Sequence, residues 1–189
     1  ESCEQVKFIM NRRLARVNLM NKIGSPFYLA DEAAYLAWRQ YKLNNYPESL
    51  QDMIVEIDSD LPTAAACEQI SRVCKKTNMA IYRLCNPAAG NKAFVHALGE
   101  QLGLRHLDGN LCADNDSITS LQVMESGRQA GYIPYSNKPL SWHTDGYYNL
   151  PEQRIRAMLL HCVREAKEGG ENSLLDHEIA YIQLRDQNP

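Results

Sequence analysis

Trp142-His143-Thr144-Asp145-Gly146 sets an imidazole and a carboxylate two positions apart, and Gly169-Gly170-Glu171-Asn172 follows downstream. On an extended strand, residues i and i+2 share a face and lie about 6.5 to 7 Å apart along the backbone, so both side chains reach one metal ion. One imidazole and one carboxylate are two of the three ligands in the facial arrangement that holds non-haem Fe(II) and leaves the other side open for cosubstrate and oxygen. A lone His-x-Asp arises by chance in many chains, usually as a surface turn. The surrounding residues therefore decide its meaning.

Upstream stand Gly131-Tyr132-Ile133-Pro134-Tyr135-Ser136-Asn137-Lys138-Pro139-Leu140-Ser141, and directly downstream come Tyr147, Tyr148, Asn149 and Pro151. A Leu- and Met-rich strand is expected over residues 154–163, then Arg164-Glu165-Ala166-Lys167-Glu168 leads into the double glycine. Leu174-Leu175-Asp176 precedes a helical stretch over residues 177–185. This ordered series resembles the TauD/TfdA family of Fe(II)- and 2-oxoglutarate-dependent dioxygenases, including its taurine dioxygenase and gamma-butyrobetaine hydroxylase-like branches. The resemblance is close over residues 121–189 and looser back to Met79.

The resemblance implies an α/β (α+β) fold, with N-terminal helices packed on a partial double-stranded β-helix, or jelly roll. As one domain, residues 1–78 would form the helical N-terminal region and residues 79–189 the start of the β-helix core. It also implies that His143 and Asp145 bind Fe(II), that 2-oxoglutarate chelates the metal, and that a C–H bond of a small polar molecule is hydroxylated. In the family the turn at the double glycine introduces a strand whose first residues are often Gly-Gly-Asp-Thr or Gly-Gly-Glu-Thr, and the Thr helps hold a 2-oxoglutarate carboxylate. Asn172 occupies that position here; an amide also donates a hydrogen bond to a carboxylate, and Ser173 is the alternative donor. The family's second His and its 2-oxoglutarate-pairing Arg come from a late strand that this chain does not reach, and neither His161 nor His177 fits the third ligand position. The expectation is an N-terminal portion of a longer enzyme, inactive alone and prone to homo-oligomerise through exposed strand edges.

Parity along a regular strand would put Tyr147 and Asn149 on the face of His143, as substrate-binding residues, and Trp142 and Tyr148 on the other face. Two further readings stand beside the dioxygenase. One is a non-catalytic fragment or pseudoenzyme with an assembly or binding role. The other is a different metal-dependent enzyme, such as a hydrolase using His143, Asp145 and another His.

Composition bounds the class. The chain has 189 residues, 44% hydrophobic and 23% charged, enough to bury one core. A formal net charge of −3 with no dense Lys/Arg run argues against a nucleic-acid or anionic-membrane surface. No apolar run approaches the roughly 20 residues of a bilayer span, and no signal-peptide pattern opens the chain. The expectation is a soluble, cytoplasmic protein acting on a small molecule. Arg12, Arg13, Arg16 and Lys22 read as a solvated helix face. The six cysteines, Cys3, Cys67, Cys74, Cys85, Cys112 and Cys162, contain no Cys-x-x-Cys pair, so reduced and mostly buried thiols are expected rather than a zinc ribbon or disulfide framework.

Periodicity predicts the remaining elements. Apolar spacing at Val6, Ile9, Met10, Leu14, Val17 and Leu19 predicts a helix over residues 3–21, and a second is expected over 31–43. A strand follows over 53–57, then a helix opened by Pro62. Residues 79–84 read as a strand ended by Asn86-Pro87, and 91–102 as a helix carrying Phe94, Val95, Leu98 and Leu102. A polar loop spans 109–116 and a strand 118–124. Residues 125–141 form a loop able to fold over a site opening. His96 and His106 read as surface or satisfied core histidines.

Overall fold

A computed structural model of the chain describes residues 4–11, 23–105, 107, 116–127 and 129–188. These residues form strands β1 (Glu4–Asn11), β2 (Ile54–Ile57), β3 (Ile81–Leu84), β4 (Ile118–Leu121) and β5 (Ile155–Arg164), and helices α1 (Glu32–Asn44), α2 (Ala64–Thr77), α3 (Lys92–Gln101) and α4 (His177–Gln187). The class is mixed helix and sheet. Two compact units divide the chain, which passes between them several times.

The first unit contains β1, residues 57–67 and residues 84–172. Its sheet has the order β4-β1-β5, with β1 antiparallel to both neighbours. Val6 lies opposite Ser120 on one side and His161 on the other, and register irregularities fall at Glu4/Gln5 and Met10/Asn11. This corrects the helix expected over residues 3–21, at least as far as Asn11. Val6, Phe8 and Met10 also alternate with period two, and two flanking strands supply ladder hydrogen bonds that a helical spacing cannot outweigh. The remainder of that expected helix, with the basic cluster at Arg12, Arg13 and Arg16, lies outside the described residues, as do His106, Cys3, Cys112 and nearly all of the polar loop over 109–116.

Helix α3 covers this sheet. Asn91 caps it by accepting a hydrogen bond from Phe94 N at 3.0 Å. Val95 and Ile118 form a buried cluster with Leu104, Leu107 and Leu159 packed against it. Phe94, Leu98 and Tyr135 are buried as well. Tyr135 anchors the long loop before the His-x-Asp segment, and its carbonyl accepts from Met124 N at 2.9 Å.

The second unit contains residues 23–56, 68–83 and 173–188. Asp31 caps α1 by accepting from Ala34 N at 3.0 Å, and Asp176 caps α4 by accepting from Glu178 N at 2.9 Å. Asn78, at φ 60°, ends α2 in the left-handed conformation that asparagine tolerates. Lys42 is buried between two carboxylates, 2.8 Å from Asp176 and 2.6 Å from Glu178. Arg185 stacks on the Tyr35 ring at 4.0 Å and pairs with Glu32 at 3.1 Å, so these buried charges have partners beside the apolar Met53, Val55, Ile70 and Ile182.

Among the described cysteines, all free, only Cys67 is buried; Cys74 is half-buried and Cys85 and Cys162 are exposed. That corrects the expectation of mostly buried thiols. Cys162 sits on a sheet-edge strand, which buries fewer of its residues than a central one. Among the described residues no helix is long and apolar enough to cross a membrane.

Candidate functional site

His143 and Asp145 do not lie on a strand. The chain from Ser141 to Thr144 is irregular and enters a turn over residues 145–148. Gly146, at φ 62°, makes the reversal, and Asn149 N donates to Gly146 O at 2.8 Å. The physical reason is local. Gly146 adopts the left-handed conformation at no steric cost, and Pro151 opens a 3-10 turn over Pro151–Gln153. Strand parity therefore does not bring the two side chains together, yet they meet: His143 Nε2 lies 3.7 Å from Asp145 Oδ1.

The imidazole is oriented by its other nitrogen. His143 Nδ1 lies 2.8 Å from Ser141 O. A carbonyl only accepts, so Nδ1 donates to it, and Nε2 is the ring nitrogen that faces the Asp145 side. Backbone orientation of one ring nitrogen is the usual support for a metal-ligating His. Two cis ligands bonded at about 2.1 Å to one ion stand about 3 Å apart, and a small side-chain rotation closes the observed gap. Oxygen and imidazole donors suit a first-row divalent ion such as Fe(II). Both groups remain reachable, with the side chains 39% and 19% exposed. Among the described residues no group of three His, Cys, Asp or Glu could hold a metal ion.

A cleft of about 320 Å³ opens beside Asp145, within the range of small-molecule sites. Thr144, Gly146 and Tyr147 line it from the motif, and Asn149, Pro151, Arg154 and Ile155 from the turn and the start of β5. Tyr147 and Asn149 thus flank Asp145, while Trp142 and Tyr148 do not line the cleft, although all three aromatic rings are largely exposed. The Asn149 amide already donates to Gln153 O at 3.0 Å, which ties the turn to the entry of β5. Gly146 is wedged into this joint. A Cβ placed there would meet Asn149 Nδ2 and Ile155 Cδ1 at 2.7 Å each.

The strand expected after the double glycine does not form among the described residues. Gly169 and Gly170 both have positive φ, and residues 171–176 are irregular. Asn172 and Ser173 are exposed, and the Asn172 amide donates to Gly170 O at 3.2 Å. Asn172 does not line the cleft, and Ser173 belongs to the second unit. Two successive left-handed glycines turn the chain away from the ladder geometry a strand needs.

The other described histidines have structural surroundings. His161 is buried on β5 against Gly90, where a Cβ would overlap its ring. Burial pulls its pKa down, opposed by a hydrogen bond with the Gly90 backbone. His96 lies one helical turn from Glu100, 3.7 Å away and exposed, and His177 begins α4 in the second unit. Sequence reasoning overlooked Arg154. Its only signal was a cation between a turn proline and a strand.

Residues 81–189 match the family described as "Taurine catabolism dioxygenase TauD, TfdA family". The match covers more than half of the chain and all of the His-x-Asp segment. Such proteins fall in the superfamily of Fe(II)/2-oxoglutarate dioxygenases. The chain belongs to the TauD/TfdA family. No curated relative and no solved structure matches it.

Proposed function

We propose that this chain carries the Fe(II)-binding His-x-Asp element of a 2-oxoglutarate-dependent dioxygenase that hydroxylates a small polar molecule. One observation carries the reading: the Nδ1 hydrogen bond to Ser141 O leaves His143 Nε2 facing the Asp145 carboxylate at 3.7 Å. Family membership supports it, and with it a jelly-roll arrangement of which β4, β1 and β5 would be part. When bound, iron would couple conversion of 2-oxoglutarate and O₂ to succinate and CO₂ with placement of the second oxygen atom in a substrate C–H bond. His143 and Asp145 would hold the ion, Tyr147 would wall the cleft, and Asn149 would keep the turn closed. Asn172 would donate to a cosubstrate carboxylate after giving up its present hydrogen bond to Gly170 O.

Because two protein ligands hold an ion far less well than three, Fe(II) should bind weakly to the 189-residue chain, and 2-oxoglutarate should tighten it by filling further coordination positions. Anaerobic calorimetric titration with Fe(II), with and without 2-oxoglutarate, reads this directly. Asp145→Ala and His143→Ala should each remove the response. Fe(II) binding that is unchanged in both variants and indifferent to 2-oxoglutarate would sink the reading. Turnover by this chain alone should stay at background, measured as iron-dependent succinate release.

We also propose self-association through the sheet edge. Among the described residues β5 lies at one side of the strand order β4-β1-β5, and Met158 and Val163 on it are exposed. A strand at the side of a sheet is where a strand of a second copy adds. Sedimentation should show concentration-dependent dimers, and a sharp monomer boundary at high micromolar concentration would count against them.

A further inference from the structure

We propose that the Asp145-Gly146 bond is a spontaneous modification site, at which the aspartyl residue rearranges to isoaspartate through a cyclic imide. The rearrangement needs only this chain and water. Its consequence for iron rests on reading Asp145 as a ligand.

Three observations meet at this bond. Gly146 has no side chain to screen its backbone nitrogen, and among the described residues its N–H has no hydrogen-bond acceptor; only its carbonyl is engaged, by Asn149 N at 2.8 Å. The Asp145 side chain is 19% exposed and stands in the turn over residues 145–148, where neither a helix nor a strand ladder holds the carboxyl carbon away from the next nitrogen. The turn also requires its glycine. The backbone at Gly146 has φ 62°, and a Cβ would meet Asn149 Nδ2 and Ile155 Cδ1 at 2.7 Å each. The residue that folds the turn is thus the one least able to shield the bond.

The chemistry is an internal condensation followed by hydrolysis. The Gly146 nitrogen attacks Asp145 Cγ; an N–C bond forms, a C–O bond breaks, and the oxygen leaves as water with the amide proton and one proton from solvent. Water then opens the imide. Opening at the side-chain carbonyl restores aspartate, whereas opening at the main-chain carbonyl routes the backbone through Cβ and Cγ. A carboxylate remains in the second product, but it hangs directly from Cα and is drawn back by one bond, about 1.5 Å. It then no longer meets His143 Nε2 as Asp145 Oδ1 does at 3.7 Å. An ion held by both groups would keep the carboxylate toward His143 and away from the Gly146 nitrogen.

Incubation of the 189-residue chain at physiological temperature, in native buffer and in guanidinium, tests the proposal. Digestion, chromatography and electron-transfer fragmentation of the peptide carrying Asp145 read the isoaspartate fraction, and an isoaspartyl methyltransferase counts it independently. Isoaspartate should accumulate at Asp145 in the native chain, and Asp145→Glu should abolish it, because the longer side chain closes a ring far less readily. Asp145→Asn should lose ammonia through the same imide. An Asp145 that stays aspartyl in the native chain while the guanidinium-unfolded chain converts overturns the proposal, since the folded turn would then protect the bond. Anaerobic Fe(II) with 2-oxoglutarate should slow conversion at Asp145 and leave Asp108-Gly109, the same dipeptide outside the described residues, unaffected. His143→Ala should remove that protection but not the rearrangement. Conversion at Asp145 that is indifferent to Fe(II) supports the modification site and counts against the iron reading, so the two failures are told apart.

Discussion

Gly146→Val should abolish the Fe(II) response of the chain and destabilise its first unit by about 2 to 6 kcal/mol. The backbone there sits at φ 62°, where a β-branched residue is strained by about 1 to 3 kcal/mol. The new side chain would also collide with Asn149 Nδ2 and Ile155 Cδ1, and overpacking adds about 1 to 3 kcal/mol. Relief requires the turn to open, which carries the adjacent Asp145 away from His143. Urea unfolding followed by circular dichroism measures the first effect, and anaerobic titration the second. A Gly146→Val protein that keeps wild-type stability and iron binding would show that this turn does not position the carboxylate.

Lys42→Met should destabilise the second unit by about 3 to 5 kcal/mol, because breaking a buried ion pair leaves an uncompensated charge behind. The Lys42 side chain is only 4% exposed and that of Asp176 only 1%. Asp176 would keep the Asn78 amide and the Glu178 N–H but lose its cation. The pH dependence follows from the same contacts. Burial pushes the Asp176 pKa up, but Lys42, Asn78 and the Glu178 N–H together outweigh it, so the carboxyl titrates below its ordinary value of 3.8. A depressed folded pKa gives stability that is present above about pH 4 and lost as pH falls through the folded value. For Lys42, burial lowers the pKa and the two carboxylates more than restore it, so its contribution is present below 10.5 and lost as pH rises through the folded value. Wild-type stability should therefore decline at both extremes. The Lys42→Met protein should lose most of the alkaline decline, and a variant with undiminished stability at pH 7 would show that the buried triad contributes nothing net.

The elements that local chemistry announces are where the residues put them. Asp31, Asn91 and Asp176 cap α1, α3 and α4 by accepting from backbone N–H groups two or three residues on, and each is a residue type that prefers that position. Asn86-Pro87 stops β3, and the Leu- and Met-rich run from Ile155 forms β5. These features depend on a few neighbouring residues. Residues 4–11 carry both a helical and an alternating pattern, and the choice between them was made by β4 and β5, more than a hundred residues away.

By itself, the sequence determined the family, the mixed helix and sheet class and the chemical types at the candidate site. An imidazole, a carboxylate and a following glycine are legible without coordinates because donor identity and left-handed tolerance are properties of single residues. Tertiary structure decided how those groups meet. His143 and Asp145 converge through a glycine turn and a backbone hydrogen bond, although strand parity had been the expected cause. Arg154 joins them because a 3-10 turn carries it into the cleft, and Asn172 does not line that cleft because two left-handed glycines redirect the chain. Such placements depend on turn dihedrals and long-range pairing, which are many-residue properties with no marker at any one position.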